Sequence, residues 1–245
     1  MSKRPFIRKP KRKKHGTTFW DNEYSEGGTL KLSDDASEDL EKFTRWLERQ
    51  TKREFLNPTS CVLDMGCGNG RNLVYLAEKF GMHGTGYDIS PAAIKQAVTA
   101  STKYNIKYVA RSMTGDIDLP DQSQTFVLDM MSSHFLNKSE REHMREEVHR
   151  VLKPGGWFFV KTFLRDGDLH TGRLLKEFPT KEEGTYKHPV MGMDEHVYYE
   201  EDLIKFLEER FVIHKVYRSH KHISRGKARK RRTISIYAER NPFVD

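Results

Sequence analysis

The stretch Cys61-Val62-Leu63-Asp64-Met65-Gly66-Cys67-Gly68-Asn69-Gly70 decides how this chain is read. Its first half is a short apolar run, which predicts a strand buried on both faces of a parallel sheet. Three alternating glycines, Gly66, Gly68 and Gly70, then predict a tight turn. The apolar positions Leu73, Leu76, Ala77 and Phe80 that follow share one face of a helix. A glycine turn between strand and helix lets backbone approach a ligand closely and aims helix N–H groups at it. A second strand, predicted over 83–87, ends in Asp88, 18 residues beyond Gly70. A carboxylate there can accept both hydroxyls of a ribose.

Spacing separates one nucleotide from another. A dinucleotide fingerprint requires G-x-G-x-x-G; this chain has G-x-G-x-G, with acidic Asp64 two residues before the first glycine. Three glycines alone leave open a bare strand–helix turn with no ligand. Asp64, the strand before, the helix after and Asp88 together argue for a ligand. The pattern resembles motif I of class I S-adenosylmethionine-dependent methyltransferases, and Asp88 resembles their ribose-binding acidic residue. The resemblance runs over about residues 19–239, with its specific motifs within 61–160.

That resemblance implies an α/β fold, a Rossmann-like doubly wound seven-stranded sheet, mostly parallel with the last strand antiparallel. It implies S-adenosyl-L-methionine as cofactor and methyl transfer as the reaction. Residues 115–120, Gly-Asp-Ile-Asp-Leu-Pro, resemble a family stretch that places Asp116 beside the adenine and Ile117 against its ring. Phe19-Trp20-Asp21-Asn22-Glu23-Tyr24 resembles a W-D-x-x-Y element whose aromatics, here Trp20 and Tyr24, line the cofactor pocket. Capping the edge of the core is the other role open to these aromatics. Asp64, Gly66, Cys67, Gly68, Gly70, Asp88, Ile89 and Asp129 complete the cofactor-binding set implied by the family. The turn Lys153-Pro154-Gly155-Gly156 after Leu152 is a further shared feature.

The bulk numbers are those of one domain with additions, at 245 residues. The expected division is a basic disordered arm over 1–16 and a methyltransferase domain over 17–245. No apolar run is long enough for a transmembrane helix, and the basic N-terminus lacks the apolar segment of a secretory signal. The two cysteines, Cys61 and Cys67, flank one loop and form no disulfide framework. A reducing, cytoplasmic location is the expectation. No Cys/His spacing suggests zinc, so no metal is expected.

The net charge of +8 is unevenly spread. Residues 3–14 and 218–232 each hold eight Lys/Arg and no Asp/Glu. The remainder holds 27 Lys/Arg against 35 Asp/Glu, so two cationic segments flank an acidic body. The arm is either a solubilising or targeting tail or a neutraliser of phosphates. The loop 218–232 is either an inert charged hairpin or a contact for a polyanion. It starts at the carboxyl end of a predicted parallel sixth strand, on the face where a methyl group would be presented. This favours the polyanion, with RNA as the expected partner.

The remaining order is an amphipathic helix over about 33–49, with Ser37 or Asp34 as cap and Leu40, Phe43, Trp46 and Leu47 on one face. Ser90 and Pro91 open the helix after Asp88. Residues 165–197 show no periodicity and carry six Gly/Pro, which predicts an irregular substrate lid.

Reacting groups belong outside the carboxyl ends of the parallel strands, where Asp129, His134 and Lys161 fall. Asp129, Lys161 and the run Val160-Lys161-Thr162-Phe163 resemble part of the FtsJ-type RNA 2′-O-ribose methyltransferases, whose K-D-K-E tetrad activates a ribose hydroxyl. Lys31 would be the first lysine. The glutamate position falls at about Thr233, a departure, and Lys161 is otherwise an edge-strand lysine. No N/D-P-P-Y/F/W follows the fourth strand, which disfavours amine methylation of adenine or glutamine. RNA is therefore the leading acceptor. A small molecule closed in by the lid, or an RNA-binding module that transfers nothing, are the alternatives.

Overall fold

The computed structural model describes residues 15–25, 32–52, 54–220, 222–224 and 227–244. The basic arm over 3–14, the pair Gly27-Gly28 and Lys31 lie outside the described residues. Two helices, α1 (His15–Ser25) and α2 (Glu38–Thr51), precede β1 (Cys61–Met65). Then come α3 (Arg71–Phe80), β2 (His83–Asp88), α4 (Pro91–Ala100), β3 (Ile106–Ala110) and β4 (Gln124–Met130). A 3-10 turn at Ser133–Phe135 leads into α5 (Lys138–Val151) and β5 (Leu152–Phe163). Next are α6 (Leu169–Glu177) and a ribbon of β6 (Thr185–Lys187) with β7 (Asp194–His196). The chain closes with α7 (Glu200–Glu208), β8 (Phe211–Arg218), the short pair β9 (Ile223–Ser224) and β10 (Lys227–Ala228), and β11 (Thr233–Arg240).

Seven strands form one sheet in the order β3-β2-β1-β4-β5-β11-β8. All are parallel except β11, which runs antiparallel to both neighbours. This is the Rossmann-like arrangement implied by the resemblance. Strand order reverses between β1 and β4, so a crevice opens outside the carboxyl ends of those strands.

Period-two alternation along the central strands assigns side chains to two cores. Leu63, Val127, Phe158 and Val160 point to one face and meet Val148 of α5 and Leu203 of α7. Val62, Phe126, Leu128 and Phe159 point to the other and meet α2 and α3. Phe43 of α2 is the centre of that layer, stacked on Phe159 at 5.1 Å and edge-on to Tyr237 at 4.8 Å. Both faces of the middle of the sheet are thus dry, as the unbroken apolar run of β1 predicts.

Local signals set the helix starts. Ser90 accepts a hydrogen bond from the Ala93 N–H with Pro91 in the first turn, and Asn137 and Glu140 form a capping box on α5. Ser37 occupies the cap position of α2 without a side-chain cap bond. Its N–H instead donates to Asn72 Oδ1 at 3.1 Å, tying α2 to the start of α3.

Two expectations are corrected. Residues 153–156 do not form a free turn before β5 but lie within it. Leu152 pairs with Gln124 and Trp157 with Phe126, so four residues on β5 bulge opposite the single Thr125 on β4. Nor is the segment 165–197 irregular. Asp168 caps α6 by accepting from the His170 and Thr171 N–H groups, and β6 pairs with β7 in an antiparallel ribbon. The glycines and prolines that hid this order sit in the connections, not in the elements.

Candidate active site

An open cleft of about 2800 Å³ lies over the carboxyl ends of the first five strands. Its floor is the glycine corner. The Gly66 and Cys67 N–H groups both donate to the Tyr87 carbonyl, at 2.7 and 2.9 Å, which binds the corner to the end of β2. Two glycines are required there. Gly66 has φ +77°, and a Cβ on it would stand 2.1 Å from Ser132 Oγ. Gly68 has φ +54°, and a Cβ there would stand 2.3 Å from the Tyr24 hydroxyl. The corner therefore presents bare backbone to the cleft.

Asp88 closes the corner from the next strand. Its Oδ2 accepts the Gly68 N–H and its Oδ1 the Ser90 N–H, both at 2.9 Å. Each oxygen retains acceptor capacity for a further donor. Burial raises its pKa, against the opposing pull of these backbone donors.

Asp64 lies fully buried beneath the corner, and neither carboxylate oxygen has a hydrogen-bond partner. Asn72 stands close: its Oδ1 accepts the Ser37 N–H, its Nδ2 donates to the Met130 sulfur, and the remaining amide donor opposes the effect of burial on Asp64. Burial first, then the neighbouring Asp88 and Asp129, push the Asp64 pKa up to about 7. Such a carboxylate calls for a cationic partner. Asp64 does not line the cleft and acts on it from beneath the corner. The amino-acid end of S-adenosylmethionine carries a cation, so the bare corner with this buried acid below it, and Asp88, fit that cofactor.

The aromatic element at 19–24 forms a wall of the cleft rather than an edge of the core. Trp20 and Tyr24 line it. Asp21 fixes α1 on α4: its Oδ1 accepts the Ser90 hydroxyl and the Ala92 N–H, each at 2.9 Å. The Tyr24 carbonyl accepts Gln96 Nε2 at 2.6 Å, and Trp20 packs edge-on to Phe135 at 5.8 Å.

Other sequence candidates divide. Cys67, Ile89, Asp116 and Ile117 line the cleft. Asp116 is exposed and hydrogen-bonds His143 Nε2 at 3.1 Å, while the Ile117 N–H donates to Glu147 at 2.6 Å. Gly70 does not line the cleft; it begins α3 with φ +79°, against the Tyr108 hydroxyl.

Asp129 and His134 do not line the cleft either. Asp129 is wholly buried, and its Oδ1 accepts the Ser133 N–H at 3.0 Å and the Ser132 N–H at 3.3 Å. Burial raises its pKa to about 6. His134 is buried against Phe135 and Phe163, and burial lowers its pKa to about 4. Of the three proposed catalytic side chains only Lys161 reaches the cleft, and it is ion-paired with Asp39 at 2.5 Å.

The FtsJ-type arrangement is not formed. Lys161 pairs in register with Met130 and Asp129 with Val160, so the two side chains point to opposite faces of the sheet. A tetrad needs them to converge. Among the described residues of the basic loop 218–232, none lines the cleft. Arg218 is ion-paired with Glu200, Arg231 with Glu195, and the Arg232 N–H donates to Asp168 at 2.7 Å. These contacts tie the loop to the segment 165–197 and to α7.

Sequence reasoning missed Arg111, Met113, Ser132 and Phe135, which also line the cleft. Arg111 and Ser132 follow the ends of β3 and β4, where the crevice rule would have found them. Met131 carries a signal only in the backbone, a non-glycine φ of +67°.

The fold and this site together define a class I S-adenosylmethionine-dependent methyltransferase domain, and the chain carries one. Residues 62–156 match the methyltransferase domain family. A SAM-dependent methyltransferase of Methanosarcina mazei is 28% identical, with a TM-score of 0.64 over 77% of this chain and 96% of that one. The same fold recurs at 18% identity and a TM-score of 0.65 in a Burkholderia thailandensis 1,6-didemethyltoxoflavin-N1-methyltransferase, over 98% of this chain and 94% of that one. By sequence, the chain is 29% identical over 113 residues to a glycine/sarcosine/dimethylglycine N-methyltransferase of Actinopolyspora halophila, 46% of this chain and 20% of that protein. It is 31% identical over 105 residues to an uncharacterized methyltransferase of Synechocystis, 42% of this chain and 47% of that protein. The chain spans less than half the length of the curated relatives named here.

Proposed function

We propose that this chain transfers the methyl group of S-adenosylmethionine to a small-molecule acceptor held in the cleft over the ends of β4 and β5. The observation that carries the reading is the roof. The tip of the β6–β7 ribbon reaches across to α1, with Met193 Sδ 3.0 Å from where a Cβ on Gly16 would stand. A site covered from two sides suits a compact acceptor better than a polymer.

The cofactor, when bound, supplies a methyl group on a sulfonium whose sulfur is already a good leaving group. The chain's own work is to hold and shield. The bare backbone of Gly66 and Gly68 would hold the amino-acid end, with the Asp64 charge beneath it, and Asp88 would accept the ribose hydroxyls. Ile89, Asp116 and Ile117 hold the base, and Trp20 and Tyr24 exclude water. With Asp129 and His134 sealed away from the cleft, rate enhancement rests on approximation and alignment of the two reactants. Relatives that match this chain by sequence include methyltransferases of sarcosine and of tocopherol, both small acceptors.

The RNA reading draws on the loop 218–232, in which Lys227, Arg229 and Lys230 are exposed. Among its described residues none lines the cleft, which weakens RNA as the group that enters it. Incubation with methyl-labelled cofactor and separated RNA, protein and metabolite fractions tests the reading. Label in the metabolite fraction supports it; label in RNA overturns the acceptor, and no label in any fraction overturns methyl transfer.

A further inference from the structure

Sheet order divides the cleft. The glycine corner, Asp88 and residues 111–117 lie over β1, β2 and β3 and form the cofactor half. The other half lies over β4 and β5. Its walls include Trp20, Met130, Met131, Phe135, Met191 and Met193. Four thioethers and two aromatic rings make a soft, polarizable surface that adapts to an apolar body.

One cation enters this half from the sheet itself. Lys161 lies two residues before the end of β5 and projects toward the first turn of α2, where Asp39 receives it. Asp39 does not line the cleft, so it holds the ammonium from behind. The same carboxylate also takes Lys42 at 3.3 Å, so its single charge is shared by two cations. An ammonium has three N–H donors, and Asp39 accounts for one. The other charged groups of the roof are matched among themselves: Lys187 with Asp194 at 2.9 Å, and Glu182 with Arg141. Lys181 is exposed at the rim. Lys161 is half-buried beside apolar side chains, where an incompletely neutralised charge interacts strongly with a counter-ion.

Building on the small-acceptor reading above, we propose that Lys161, held by Asp39, anchors an anionic group of the acceptor, and that the acceptor is an apolar or aromatic body bearing a carboxylate or similar anion. Lys161 is here a specificity-determining residue that makes no contact with the cofactor half. It also disfavours purely cationic amines as acceptors, because like charges would be brought together.

Two dyes of nearly the same shape test this on the full chain saturated with S-adenosylhomocysteine. One is 8-anilinonaphthalene-1-sulfonate, an aromatic anion; the other is neutral N-phenyl-1-naphthylamine. The anion is expected to bind about tenfold more tightly, the range of a charge-assisted hydrogen bond. Lys161→Met should abolish that preference while leaving the affinities for the neutral dye and for S-adenosylhomocysteine unchanged; Lys161→Arg should restore it. Equal binding of the anion by wild type and Lys161→Met overturns the proposal, as does failure of both dyes to bind. Methyl label appearing in RNA would overturn the small-acceptor reading itself. Labelled small molecules together with a preference blind to Lys161 would overturn only the anchor.

Discussion

The Asp21 carboxylate caps a helix that begins 70 residues further along the chain: it accepts both the Ser90 hydroxyl and the Ala92 N–H at 2.9 Å. Ser90 lies two residues past Asp88, so the anchor of α1 and the carboxylate proposed to hold the ribose are side by side at the end of β2. Removing the anchor should free Trp20 and Tyr24 from the cleft. Asp21→Ala is expected to weaken S-adenosylhomocysteine binding about threefold to tenfold by calorimetry, the scale of one lost cap. Amide exchange over 15–25 should rise at the same time. Unchanged exchange there would show that α1 docks by other means.

Asp88 is the group whose loss should be felt most by the cofactor. Asp88→Ala removes the acceptor for the ribose and leaves the Gly68 and Ser90 N–H groups unpaired. A loss of about 100-fold in cofactor affinity is expected, from two charge-assisted hydrogen bonds. Tm should fall as well, because the glycine corner loses one of its ties to β2, the Gly66 and Cys67 bonds to the Tyr87 carbonyl remaining. Near-wild-type affinity in a titration would remove Asp88 from the site.

Asp64 gives a pH signature. Its pKa in the folded chain, about 7, lies above that of an unfolded carboxyl group. The folded state therefore binds the extra proton between about pH 4 and 7, and stability falls as pH rises through that window. Asp64→Asn removes the slope. The variant should gain Tm at pH 8 by at least about 2 °C, equivalent to roughly 1 kcal/mol in a domain of this size, and gain little at pH 4. Its cofactor affinity should drop about tenfold, since a neutral amide cannot match an ammonium. A parallel fall of Tm with pH in wild type and variant would refute the assignment.

Arg231 ties the basic loop to the segment 165–197 through an internal network. It pairs with Glu195, which is almost wholly buried and also accepts the Tyr186 hydroxyl, and it lies over the Phe163 ring at 3.5 Å. Arg231→Met leaves the Glu195 charge buried and unpaired, at a cost of about 3–5 kcal/mol. Chemical denaturation should show that loss, and proteolysis should nick the segment 165–197 first. The double variant Arg231→Met with Glu195→Gln should recover part of the stability. If the single variant is as stable as wild type, the pair contributes nothing to the lid.

Much of this was legible in the sequence because it is local. The run 61–80 fixes a strand, a corner of positive-φ glycines and a helix in twenty residues, and Asp88 follows at the end of the next strand. Backbone sterics and a short apolar run suffice for that. The helices and strands after it announce themselves by apolar period and by caps such as Ser90. What the sequence could not supply was orientation across the sheet. Asp129 and Lys161 both stand at strand ends, yet one register position turns their side chains to opposite faces. Nor could it show that Arg218 and Arg231 are ion-paired with acids 18 and 36 residues away, and that the Arg232 guanidinium donates to the Asp166 carbonyl, rather than all three being displayed to a polyanion. Charge in a sequence is counted singly, whereas its availability depends on partners that only folding brings within reach. The chain alone determined the strand, the glycine corner and the carboxylate one strand over; packing decided which side chains face the cleft.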